Sequence, residues 1–304
     1  MKNRKYSLVF IMLLCMIMAV SAFPMTVNAD MGPKASVRIQ FEHMGDELCY
    51  GTLLSKEKST GPASAWDGRT ESAQKEYMDP GIWEIFVNYK DPDGYYFLQR
   101  SWKVSESKEL AWTYYPPDDF KILLYYPDTE TFVSSGIYAR YAFDTYYTVD
   151  MDGVDIGSVE YNDDLSTNER IEAYRSYNYR QEMLALGARI VLTILIEMLV
   201  ALLFGFRQKK QLLILAVVNI ITQIILNVLL NVINYNSGPL AFTFFYVLFE
   251  LIVFALEAVL YCTILKRLSE KKKEDAYYIL YSFVANLISF GAGLFLAAKL
   301  PGMF

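Results

Sequence analysis

The sequence predicts an exported all-β sandwich domain of Ig-like type, followed by an all-α four-helix transmembrane bundle. Three observations carry that prediction. Hydrophobic residues make up 54% of the 304 residues, too many for an ordinary soluble domain, and they gather in the last third of the chain. The stretch before them alternates apolar and polar residues between turn signals, as half-buried strands do. That same stretch holds the excess acid: Asp30 to Glu182 contains 28 acidic and 15 basic residues, against −6 for the whole chain. A nucleic-acid partner is excluded by this balance, and so is docking of the acidic part on anionic lipid.

The chain opens with Lys2, Arg4 and Lys5, an apolar run from Leu8 to Met18, and small residues ending at Ala29. This is the pattern of a signal peptide, 1–29, cleaved before Asp30. Residues 30–161 form the expected extracytoplasmic β-sandwich. Its strands are read from Ser36 to Phe41, Ile82 to Tyr89 and Phe120 to Tyr126, with a turn at Asp91-Pro92-Asp93-Gly94. Asp152-Gly153 predicts a two-residue hairpin between Tyr146–Met151 and Val154–Ile156. A calcium loop over Asp150–Asp155 is disfavoured because its glycine stands fourth in the run, not sixth. Ser55 to Met78 reads as a long exposed loop carrying Trp66. The other tryptophans, Trp83, Trp102 and Trp112, read as core aromatics.

Cys15, Cys49 and Cys262 fall in three different segments, so the domain relies on its apolar core rather than on disulfides. His43 is the only histidine, which excludes zinc motifs built on paired histidines.

Ser166 followed by Glu169 predicts a capping box opening a juxtamembrane helix over 162–185, with Tyr174, Tyr177 and Tyr179 as interface anchors. Four apolar runs follow at 186–206, 211–233, 240–265 and 277–299, each near the ~20 residues that cross a bilayer. Arg189 is expected to snorkel outward. Basic residues lie after the first run (Arg207, Lys209, Lys210) and after the third (Lys266, Arg267, Lys271, Lys272, Lys273). The positive-inside rule places those loops in the cytoplasm, and the N-terminal domain and the short C-terminus, 300–304, outside.

Inside the apolar runs stand polar residues that hydrocarbon does not tolerate alone. Glu250 and Glu257 lie two turns apart on one helix face, and every run contributes to a shared zone: Glu197; Asn219, Thr222 and Gln223; then Asn286 and Ser289. Gly291 and Gly293 are expected to allow close approach of the last helix. Three buried carboxyls with no basic residue at their depth imply a cation or proton site. An interhelical hydrogen-bond network is the competing reading, although such bonds contribute only about 0.6–2 kcal/mol each.

The order Leu192-Thr193…Glu197, Asn219…Thr222, Glu250…Glu257-Ala258 and Asn286…Ser289…Gly293 resembles a family of uncharacterised bacterial four-helix integral membrane proteins. The segments Asp30-Met31-Gly32-Pro33-Lys34 and Trp112-Thr113-Tyr114-Tyr115-Pro116-Pro117 resemble the exported β domain of one subgroup. The resemblance implies the architecture and carries no activity.

The expected function is that of a non-enzymatic cell-envelope protein, multi-pass in a bacterial membrane. Its exported domain binds a protein or envelope ligand, its bundle holds the glutamate/asparagine site, and self-association into a homo-oligomer is open. No cofactor is implied. A small cation- or proton-coupled transporter is the alternative. A glutamate-dependent intramembrane hydrolase is a further one, disfavoured because the apolar runs contain no aspartate or histidine.

Overall fold

The computed structural model describes residues 33–56, 64–68, 72, 74–156 and 169–299. The expected signal peptide, the capping-box hydroxyls at 166–168 and the C-terminus at 300–304 lie outside the described residues. The chain divides into two compact units, a β domain over Pro33–Tyr177 and a helical unit from Asn178 onward.

The β domain contains two sheets. One has the order β10-β8-β1-β4, from Ala173–Arg175, Asp144–Asp150, Ser36–Glu42 and Glu109–Trp112. The other has the order β3-β2-β5-β6-β9, from Tyr96–Trp102, Tyr50–Ser55, Asp119–Tyr126, Thr131–Ser135 and Glu169–Ile171, with β7 (Tyr138–Ala139) also on β5. Pairing is antiparallel except for β1 with β8 and β6 with β9.

Both sheets contribute to one core: Val37, Ile39 and Phe41 of β1 and Leu110 and Trp112 of β4 join Ile122 and Leu124 of β5 and Leu53 of β2. The two-residue period of a strand sends the intervening residues the other way. Leu54, Leu123 and Tyr125 therefore face the opposite side, where they bury Ile82, Trp83 and Phe86. These three belong to helix α1, Pro80–Asn88.

Helix α1 corrects the strand expected over Ile82–Tyr89. Asp79 caps it, accepting from the backbone N–H of Gly81 at 2.8 Å and Ile82 at 3.2 Å, and Pro80 occupies the first turn, where its missing N–H costs nothing. Ile82, Trp83 and Phe86 then share a face at helical spacing, so the start signal outweighs the β propensity of the segment. Trp66 lies in the loop, outside any helix or strand, as expected, but the loop is not fully exposed there. It is half-buried, donates its backbone N–H to Phe97 O at 2.7 Å and meets the Trp83 ring edge-on at 5.6 Å.

Asp152-Gly153 does turn, with Gly153 at φ 72° and Val154 N donating to Met151 O, yet Val154–Ile156 is not a strand. The edges of β8 are taken instead by β1 and β10. At the α1-side face, the turn expected at Asp91–Gly94 forms around a buried cation. Lys121 Nζ lies 2.8 Å from Asp91 Oδ1 and 2.9 Å from Asp93 Oδ2, while Asp91 Oδ2 accepts from the backbone N–H of Asp93 and Tyr95.

The juxtamembrane helix expected over 162–185 is corrected as well. Glu169–Ile171 and Ala173–Arg175 are β9 and β10, and the helix begins at Tyr179, where Asn178 Oδ1 accepts from Gln181 N at 3.1 Å.

Among the described residues the helical unit has three helices, rather than four, long and apolar enough to cross a membrane: α2, Tyr179–Leu203; α3, Lys209–Leu260; and α4, Asp275–Lys299. The second and third expected helices are one element, reversed at Gly238, whose φ of 80° and ψ of 179° are not helical. Only glycine adopts that conformation readily, and Pro239 then opens the second arm. Gln211 meets Ser269, Asn219 meets Tyr261 and Thr222 meets Glu257, so the two arms run antiparallel. Leu226, Leu230 and Val253 pack with Phe242, Phe245, Tyr246 and Phe249 to hold them together. The second arm ends in a π-helical turn, Tyr261–Leu265.

Candidate functional site

The polar residues of the helical unit separate into two connected groups. The deeper is centred on Glu257, which is fully buried. Asn286 Nδ2 donates to Glu257 Oε2 at 2.7 Å, and Thr222 Oγ1 lies 3.0 Å from Glu257 Oε1. Thr222 has a single hydroxyl hydrogen, and its oxygen is equally close to the Val218 carbonyl, at 3.0 Å. When the hydrogen takes that ordinary helical back-bond, the contact with Oε1 requires a proton on Glu257.

Asn219 Nδ2 donates to Leu215 O and to the Tyr261 hydroxyl, while Asn219 Oδ1 and Asn286 Oδ1 find no donor among the described residues.

Glu197 is the least satisfied member. Its residue is 1% exposed, and neither carboxyl oxygen has a hydrogen-bond partner among the described residues. Asn219, Ser289 and Glu257 stand around the carboxyl, the first two outside hydrogen-bond geometry. A buried carboxylate is costly unless it is paired or hydrogen-bonded.

The second group lines a cavity of about 100 Å³, bounded by Arg189, Thr193, Gln223, Asn227, Tyr246, Glu250 and Ser289 among apolar walls. Glu250 Oε2 is buried and has no hydrogen-bond partner among the described residues. Tyr246 reaches toward it, with room made by Gly293: a Cβ there would stand 2.8 Å from the Tyr246 hydroxyl. No atom comes near the corresponding position at Gly291, so close approach is confined to Gly293.

Arg189 does not simply snorkel. Its Nη1 donates to Asn227 Oδ1 at 3.4 Å and its guanidinium lies 5.6 Å from the Phe242 ring centre. The groups are joined through Ser289, which lines the cavity and donates to Asn286 O, because Asn286 in turn holds Glu257.

All eight residues singled out in the sequence are thus in this unit, but not in one layer. Glu257, Thr222, Asn286, Asn219 and Glu197 form the deep cluster, Gln223 and Glu250 face the cavity, and Ser289 belongs to both. The tyrosines Tyr246 and Tyr261 escaped the sequence reading. The signal was present, since Tyr246 precedes Glu250 by one turn and Tyr261 follows Glu257 by one turn.

Among the described residues no three His, Cys, Asp or Glu side chains come together as a metal-ligand set. In the β domain a polar groove of about 660 Å³ lies over the outer face of the four-stranded sheet, between Arg38, Glu42, Glu109, Tyr146 and Tyr174. Compared with known protein families, with curated proteins and with solved structures, the chain matches none.

Proposed function

We propose that this chain is a non-enzymatic membrane protein of the bacterial cell envelope, with an exported Ig-like domain that binds a partner or ligand and a bundle that holds a proton. The orientation is supported by the basic residues Arg207, Lys209 and Lys210 and the basic stretch Lys266–Lys273, which fall at the bundle end opposite Gly238. The grooved outer face of the four-stranded sheet, with three tyrosines and both signs of charge, is the binding surface we assign to the exported domain.

One observation carries the proton site: both carboxyl oxygens of Glu197 are buried without hydrogen-bond partners among the described residues, beside Glu257. A proton satisfies this arrangement with no further ligand, whereas a metal ion needs donors that the described residues do not assemble. The test is thermal unfolding of the detergent-purified chain across pH, for wild type, Glu197→Gln and Glu257→Gln. A proton bound in the folded bundle and released on unfolding makes stability fall as pH rises through its release. That slope is expected in wild type and is expected to weaken in both variants. Parallel curves for all three proteins would make the cluster a structural network.

Proton-coupled transport is the second reading. It is favoured by the nearness of the cavity to the deep cluster, since Ser289 lines the first and donates to the backbone of Asn286, whose side chain holds Glu257. In that case Glu257→Gln abolishes solute-driven proton flux in vesicles.

A further inference from the structure

The cavity beside Arg189 and Glu250 has features that the proton site does not use. It is lined by one cation and one carboxyl group on different helices, with leucine side chains such as Leu192 and Leu226 between the polar groups. Glu250 is 5% exposed, and its Oε2 is a buried acceptor without a donor among the described residues. A second cavity of about 230 Å³, between Glu182, Asn234 and Pro239, shares Arg189 and Phe242 with the first. It lies at the bundle end that holds the Gly238 reversal.

A lone anion in the inner cavity gains nothing from Glu250 and is repelled once that carboxyl ionises, and a lone cation is repelled by Arg189. A ligand carrying both charges is attracted twice, so the pair selects by repulsion as well as attraction. We propose that this cavity binds a small zwitterion with a short apolar stem, its anionic end on the Arg189 guanidinium and its ammonium on Glu250. The Arg189 fork matches a carboxylate or a phosphate, and the ammonium supplies the donor that Glu250 Oε2 lacks. Either a free amino acid or the headgroup of an ethanolamine lipid carries this chemistry. Gly293 leaves room for the Tyr246 hydroxyl, which lines the same cavity as Glu250.

The test uses the full chain in detergent, with melting followed in the presence of glycine, alanine, γ-aminobutyrate and a short-chain phosphatidylethanolamine. Alanine methyl ester and N-acetylalanine, each with one charge, are the controls. At least one zwitterion is expected to raise the Tm saturably, and neither control to match it. Glu250→Gln is expected to raise the half-saturating concentration by roughly thirtyfold or more, as loss of one partner of a buried charge pair does. A response to the amino acids identifies a free solute, and a response to the lipid alone identifies a headgroup; both uphold the zwitterion site. No saturable response to any zwitterion overturns it, as does an equal response to the singly charged controls. The comparison among ligands is made on wild type, so it stands even where the variant folds poorly. Glu197→Gln is expected to keep the zwitterion response, which separates a failure here from a failure of the proton site.

Discussion

Removing one partner of the buried Asp91–Lys121 pair should sharply lower the stability of the β domain. The two side chains are 0% and 1% exposed and 2.8 Å apart. Burial pulls the Lys121 ammonium down, but the hydrogen bonds and charges of Asp91 and Asp93 outweigh it, and the group ends above its usual value. It is therefore a full charge in the interior at neutral pH.

Lys121→Met leaves the Asp91 carboxylate with its two backbone donors and no cation, a loss of about 3–5 kcal/mol. Asp91→Asn leaves Lys121 with Asp93, whose side chain is 46% exposed, and should cost less, about 1.5–3 kcal/mol. In the double variant neither charge remains, so the two losses should fall short of additive by roughly 2 kcal/mol. The assay is intrinsic fluorescence during thermal unfolding of the full chain. It reports this unit alone, because Trp66, Trp83, Trp102 and Trp112 all lie within Pro33–Tyr177. For a unit of this size, Lys121→Met should lower Tm by roughly 6–20 °C. A loss below about 1 kcal/mol, or strict additivity, would refute the buried pair.

Other expectations concern single groups. Burial pushes the Cys49 thiol up to about 12, so a maleimide at mildly alkaline pH should label Cys49 only after the β domain unfolds; prompt labelling of the native chain, mapped by mass spectrometry, would contradict its placement. His43 is raised above 6.5 by its hydrogen bond to Asp150, and Asp150 is lowered below 3.8 by the Asp152 backbone N–H and then by His43. The histidine contribution is complete below pH 6.5 and lost as pH rises, and the aspartate contribution is complete above pH 3.8 and lost as pH falls. The pair should therefore stabilise the β domain most between those values, and His43→Gln should lower its stability there and abolish the fall above pH 6.5; an unchanged profile would contradict the pairing. Gly293→Ala should displace the Tyr246 hydroxyl and lower the stability of the helical unit by about 1–3 kcal/mol; an unchanged melt would mean that Tyr246 adapts freely.

The sequence made β1 and β5 legible because their apolar residues recur along the strand, and β5 reads as almost continuously apolar because both of its faces are covered. It misled at Ile82–Tyr89, where β-branched and aromatic residues favour a strand while Asp79 and Pro80 start a helix. Polar residues inside apolar runs pointed to the bundle site, since hydrocarbon leaves them few alternatives. What stayed hidden was their grouping. That depends on how the arms of α3 face each other across Gly238, and on Arg189 reaching Asn227, neither of which is periodic. The Tyr261 and Tyr246 hydroxyls were overlooked because aromatic residues in such runs read as lipid-facing or core.

A proton held in the deep cluster would show in the infrared as the carbonyl stretch of a protonated carboxyl, which a carboxylate lacks. In the full chain at neutral pH, a difference spectrum of wild type minus Glu197→Gln should show such a band, shifting on deuteration. Only carboxylate bands in that difference, and again for Glu257→Gln, would contradict the account.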